Sequence, residues 1–179
     1  MKRLYLLRHG QTEFNVKKLV QGRCDSPLTD LGRQQARAAA AWLKAHSVVP
    51  DKVVSSPLGR AMDTASLVAC ELLGPDAAAE PCEGIIERCY GSFEEGPHGA
   101  LPTDVWDPGE DLVPFGGEGS QALQERMVDA LTNIMGSEGI ETLLAVSHGS
   151  ASRQFIKAAA PEGFELPTKL PNCAIMIFD

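Results

Sequence analysis

Two apolar runs in this chain end in the same way, and no other feature restricts its fold as strongly. Leu4–Leu7 leads into Arg8-His9-Gly10, and Leu143–Ser147 leads into His148-Gly149. Each run is too short for a helix and apolar enough to be a strand buried on both faces. A glycine after each histidine permits a tight turn and a close approach of backbone to a ligand. Strands are therefore expected at Lys2–Arg8 and Leu143–Ser147, and two further short ones at Lys52–Ser55 and Ala174–Phe178. Helical segments lie between them. Thr29 suits the N-cap of a helix over Asp30–His46, with Leu31, Ala38, Trp42 and Ala45 near one face. Pro57 fits the first turn of a helix that continues through Leu58–Leu72 until Gly74-Pro75 stops it. Ser120 reads as the N-cap of another, whose Leu123, Met127, Ala130, Leu131 and Ile134 recur at helical spacing, and Ser150–Ala159 reads as the last. Residues 9–28 read as a loop, and residues 81–119 as short elements and loops, or a small cap. Strands alternating with helices imply an α/β fold with a mainly parallel central sheet covered on both faces. In such a sheet the strand ends share one edge, where ligands bind, so His9 and His148 are expected to meet there.

The chain has 179 residues, which argues for one domain. Its net charge of −8 speaks against a general nucleic-acid binder or a polybasic membrane-surface protein. No stretch is long and apolar enough to span a membrane, and Arg8 cuts off the apolar run that a secretory signal would need. The five cysteines are odd in number, scattered and without a CxxC, as expected of reduced thiols in a cytoplasmic protein. A monomer and a homodimer are both left open.

The charge balance of the whole chain does not exclude a small basic pocket. Arg8 precedes the first histidine, and Arg60 follows the turn Ser55-Ser56-Pro57 at the start of a helix. The arginine fork matches phosphate or carboxylate oxygens, and the turn is expected to aim the free N–H groups of that helix at the same edge. No HxH or HExxH spacing points to a metal.

Read in order, these segments resemble the histidine phosphatases of the phosphoglycerate mutase-like superfamily. Arg8–Asn15 (RHGQTEFN) is similar to the signature of that family. The likeness continues through Gln21–Ala36, Ser55–Ala65, Ile85–Gly96, Gly116–Ser120 and Val146–Arg153. It implies a three-layer αβα sandwich with a small cap at about residues 85–119. It also implies that His9 attacks phosphorus to form a phosphohistidine, with no cofactor. Arg8, Arg60 and His148 would stabilise the phosphoryl oxygens, His148 as an imidazolium held protonated by its neighbours. Glu87 falls on the position of the acid that protonates the leaving group. Asn15, Gln21, Gly22 and Gly149 match positions around the phosphate, while Glu94 and Glu95 match a structural part of the motif.

Mutases of this family carry a longer insertion with basic residues and a C-terminal tail. Here only 61 positions separate Glu87 from His148, and Gly91–Gly119 contains no Lys or Arg. The expectation is therefore a phosphomonoesterase for small phosphorylated metabolites, similar to broad-specificity and α-ribazole phosphatases. A phosphoglycerate mutase and a non-catalytic phosphate- or phosphoprotein-binding module are the alternatives. His46 is expected to end its helix as a dipole partner. His98, Arg88 and Arg153 are undecided between pocket and surface, and Phe93, Phe115 and Trp106 between pocket wall and loop packing.

Overall fold

The computed structural model describes residues 2–179. Five strands form one sheet: β1 (Arg3–Arg8), β2 (Lys52–Ser55), β3 (Glu80–Pro81), β4 (Thr142–Ser147) and β5 (Ile175–Phe178). Their order is β3-β2-β4-β1-β5, with β5 antiparallel at one edge and the other pairings parallel. Successive side chains of the central strands enter opposite faces, as the pleat requires. Tyr5, Leu7, Val53, Leu144 and Val146 pack against α2 (Asp30–Ala45) and α3 (Gly59–Leu73). Leu4, Leu6, Val54, Leu143 and Ala145 pack against α4 (Ser120–Gly136) and α5 (Gly149–Ala159). The result is the expected three-layer α/β sandwich. Leu6, Leu7, Leu143 and Leu144 are completely buried, and truncating any one of them to Ala would cost roughly 2–5 kcal/mol.

Several local expectations need correction. Pro57 precedes Leu58, the N-cap of α3, rather than lying in its first turn, and β3 is not among the four expected strands. Residues 9–28 contain a short helix, α1 (Glu13–Lys17), closed by a reciprocal cap between Thr12 and Asn15. Helix α2 buries Gly32, Ala36, Ala39, Ala40 and Leu43, whereas Leu31 and Trp42 are exposed. The inward face is made of small residues because α2 packs beside α3, which brings Ala61, Ala65 and Ala69 to the same core. Ser120 is the first helical residue of α4 rather than its cap, which is Gly119.

The sheet sets the position of both histidines. Arg8 is in register with Ser147, and the His9 N–H donates to the Ser147 carbonyl at 3.0 Å. After β1 the chain runs to α2 on one face, and after β4 it runs to α5 on the other. The adjacent ends of β1 and β4 therefore open a crevice, the usual ligand position in an open α/β sheet. The loop after His9 is pressed against the start of α2. A Cβ on Gly10 would lie 2.4 Å from the Gly32 carbonyl oxygen, so neither position has room for a side chain. Among the described residues no helix is long and apolar enough to cross a membrane.

Candidate active site

His9 sits at the bottom of the crevice and is only 2% exposed. Its Nδ1 is 2.7 Å from the Gly10 carbonyl, which can only accept, so Nδ1 carries the proton and Nε2 keeps its lone pair. Burial, reinforced by the positive charges of Arg60 and Arg8, holds the imidazole pKa well below the usual value. The ring is thus neutral and nucleophilic at ordinary pH. Asn172 Nδ2 (3.1 Å) and the Cys173 N–H (3.3 Å) donate to the His9 carbonyl and fix its backbone from the C-terminal side.

The His148 ring stands 5.1 Å from that of His9 at an angle of 60°. It is completely buried and does not line the open pocket. Its Nε2 is 2.7 Å from Ser56 Oγ, and its Nδ1 has no partner among the described residues. The expectation of a raised pKa does not hold in the ligand-free protein. Burial, with Arg60, His9 and Arg8 nearby, pushes His148 well below the usual histidine value. Arg60 and Arg8 are cations, and they oppose a further positive charge beside them.

Two guanidinium groups flank the histidines. Arg8 donates through Nη1 to the Leu170 carbonyl and lies over the Trp106 ring, 5.1 Å from its centroid. Burial brings its pKa down to about 10, which leaves it a cation at neutral pH. Arg60 donates to the carbonyls of Cys24 and Gly22, each at 2.7 Å. The Nε of each arginine is buried without a partner among the described residues. The N-terminus of α3, however, is not free to hold an anion. Asp25 accepts from the N–H groups of Gly59 (2.7 Å) and Arg60 (3.4 Å), so a carboxylate of the protein already occupies that helix end.

Glu87 also lines the pocket. Its carboxyl accepts from the N–H groups of Arg88 (2.8 Å), Ala151 (2.9 Å) and Ser150 (3.2 Å), and so sits on the first turn of α5. Arg88 is neither rim nor surface. It is fully buried and ties Ser150 Oγ, Ser120 Oγ and the carbonyls of Glu118 and Gly109 together beneath the pocket. Asn15 Oδ1 accepts from the Thr12 N–H and from Asn172, and Gln21 Oε1 accepts from the Thr12 hydroxyl. Gly22 has φ +54, and a Cβ there would fall 2.2 Å from Glu94 Oε1. Glu94 itself receives the N–H groups of Arg23 and Tyr90 at 3.0 Å, a structural part as expected.

The structure brings Arg8, His9, Asn15, Gln21, Gly22, Arg60, Glu87 and Gly149 around one cavity of ≈ 70 Å³. That is small beside the roughly 300–1,000 Å³ of typical ligand pockets. Leu19, Val20, Tyr90, Val105 and Ser150 also line it. Sequence reasoning missed them, since loop residues carry no periodic signal that assigns them to a wall. Trp106 and His98 are wall residues, while Phe93 and Phe115 pack on each other outside it at 5.0 Å. Arg153 does not reach the pocket and donates to the Pro167 carbonyl. His46 caps α2 and stacks on Trp42. No three His, Cys, Asp or Glu among the described residues are grouped to hold a metal ion. A nucleophilic imidazole between two guanidinium groups, faced by a carboxyl, is suited to transferring an anionic group.

Comparison with known proteins gives this arrangement a context. The family model described as histidine phosphatase superfamily (branch 1) matches residues 4–179. A protein of Salmonella paratyphi C named "Probable phosphoglycerate mutase" is 32% identical over 186 residues, covering 100% of this chain and 85% of that one. A broad-specificity phosphatase of Saccharomyces cerevisiae is 32% identical over 166 residues, covering 87% of this chain and 69% of that one. Among solved structures, a phosphoserine phosphatase variant from Entamoeba histolytica in complex with phosphoserine superposes with a TM-score of 0.80 at 28% identity, covering 100% of this chain and 91% of that one.

Proposed function

The chain belongs to the histidine phosphatase superfamily (branch 1), and from that premise we propose that it is a phosphomonoesterase working through a phosphohistidine on His9. The observation that carries this reading is the 2.7 Å contact between His9 Nδ1 and the Gly10 carbonyl. The Nδ1–H is committed to Gly10, which leaves the Nε2 lone pair between two arginines that can receive a phosphoryl group.

In the first step Nε2 forms a bond to phosphorus as the ester P–O bond breaks. The departing alkoxide takes a proton from the Glu87 carboxyl, a form of help worth ~10²–10⁴-fold. Water then attacks the phosphohistidine, gives its proton to Glu87, and releases phosphate and neutral His9. Arg8 and Arg60 compensate the oxygen charge throughout, and their unpaired Nε groups supply additional donors. Asn15, Gln21, Gly22 and Gly149 form the remaining wall around the phosphoryl group. A phosphoryl dianion beside His148 favours its protonation, so His148 gains a proton and a donor role on binding rather than before it.

Residues 85–119 act in this proposal as a cap within a single domain, since Glu87, Tyr90, His98, Val105 and Trp106 all wall the pocket from that segment. The acidic charge of the chain and its five free cysteines fit a cytoplasmic enzyme of small phosphorylated substrates that has no nucleic-acid partner. The name of the Salmonella relative favours a second reading, a phosphoglycerate mutase. Against it stands the pocket wall, which beyond Arg8 and Arg60 contains no Lys or Arg to hold a substrate carboxylate. Incubation with 3-phosphoglycerate, a bisphosphoglycerate primer and a panel of other phosphomonoesters separates the two. We expect net phosphate release from the panel. Interconversion of phosphoglycerates without phosphate release would establish the mutase reading instead.

A further inference from the structure

The pocket is not lined by polar groups alone. Leu19, Val20, Tyr90, Val105 and Trp106 also wall it, with His98 among them. Two polar side-chain atoms of this wall are already engaged. The Tyr90 hydroxyl donates to the Val105 carbonyl at 2.6 Å, and His98 Nε2 is 3.1 Å from the Leu19 carbonyl. What these side chains offer a substrate is therefore ring and hydrocarbon surface. A leaving group carrying a carboxylate or a second phosphate would lose water there without meeting a Lys or Arg beyond Arg8 and Arg60 to offset its charge.

Trp106 is fixed from several directions. Arg8 lies over its ring, and the ring abuts the first turn of α5 so closely that a Cβ on Gly149 would be 2.6 Å from it. The next residue, Asp107, binds Gln154 Nε2 and Lys157 Nζ of α5, both at 2.8 Å. Asp107 thus holds the tryptophan-bearing segment to the helix whose first turn also donates to the Glu87 carboxyl. A side chain so constrained can act as a preformed surface, which raises affinity by avoiding an ordering cost on binding.

We infer that Trp106, with Leu19, Val20, Tyr90 and Val105, forms a leaving-group subsite that selects phosphomonoesters of uncharged apolar alcohols, flat rings above all. This rests on the phosphatase reading and adds the substrate class to it. Trp106 is the specificity-determining residue, and Asp107 positions it.

The test uses esters whose leaving alcohols differ little in acidity, so that binding rather than chemistry separates them. Phosphate release is followed from 2-phenylethyl phosphate, ethyl phosphate and 3-phosphoglycerate. For the unaltered enzyme we expect kcat/KM for 2-phenylethyl phosphate to exceed that for ethyl phosphate by ~10-fold, with 3-phosphoglycerate the poorest of the three. Trp106→Ala should bring the phenylethyl-to-ethyl ratio close to 1, mainly through KM for the phenylethyl ester. Trp106→Phe should retain most of the ratio, and Asp107→Asn should reduce it partway. Ready hydrolysis of ethyl phosphate without a phenylethyl preference, or a preference unmoved by Trp106→Ala, would overturn the subsite alone. No phosphate from any of the three esters would overturn the phosphatase reading and the subsite with it.

Discussion

Two neutral histidines in ring contact, each pressed below its ordinary pKa by burial and by the same two arginines, define the chemistry at the scale of single residues. The same depression makes stability depend on pH. An unfolded histidine titrates near 6.5, whereas these two resist protonation in the folded chain. As pH falls through that value the unfolded chain binds protons that the native one does not, so native stability decreases. The melting temperature should therefore drop between pH 7.5 and 5.5, before the carboxylates begin to titrate. The double variant His9→Ala, His148→Ala should flatten that slope. A melting temperature that is level or rises toward pH 5.5 in the unaltered protein would contradict the electrostatic picture of the pair. At this scale the sequence was highly legible for some residues and silent for others. His9, Arg8, Arg60 and Glu87 stand in recognisable motifs, and the structure gathers them around one cavity. Asn172 and Leu170 hold His9 and Arg8 through carbonyl groups, and backbone contacts between distant segments leave no pattern in side-chain chemistry.

Elements contribute by bringing their ends to the crevice, and here the helix termini behave differently from one another. The first turn of α5 receives the Glu87 carboxyl, and the first turn of α3 receives Asp25. Asp25 does two jobs, since it caps α3 and also lies 3.5 Å from the Arg60 guanidinium. Asp25→Ala should destabilise the fold by ~1 kcal/mol in a denaturant titration, the ordinary value of a lost N-cap. Unchanged stability would show that the cap is not formed in solution. A separation of 34 positions between Asp25 and Gly59 kept this cap out of reach of local sequence rules. The inward face of α2 was obscured for another reason. In an alanine-rich helix every phase looks apolar, and the large residues Leu31 and Trp42 point to the wrong side. Four of the five strands were easier, because uninterrupted short apolar runs have few alternatives once glycine or proline bounds them, whereas β3 is two exposed residues with no apolar run. α1 escaped notice since five residues are too few to display a period.

At the scale of the whole molecule, a chain of net charge −8 encloses a pocket whose working charges are positive. The cap segment is rich in acids, and several of them are engaged. Glu118 binds Arg126, Asp107 binds Lys157, and Glu94 binds backbone N–H groups, so the acidic shell is largely structural. The pocket obtains its anion affinity locally, from Arg8 and Arg60 at the crossing of β1, β4 and the two helix layers. All of this machinery converges on one atom, His9 Nε2, and the most direct measurement asks whether phosphorus becomes bonded to it. Rapid quenching with a phosphorus-labelled monoester should trap label on the protein, stable to alkali, lost in acid and located at His9. His9→Ala should show neither label nor turnover. Steady phosphate release without any such phosphoenzyme, or substantial turnover by His9→Ala, would contradict the account.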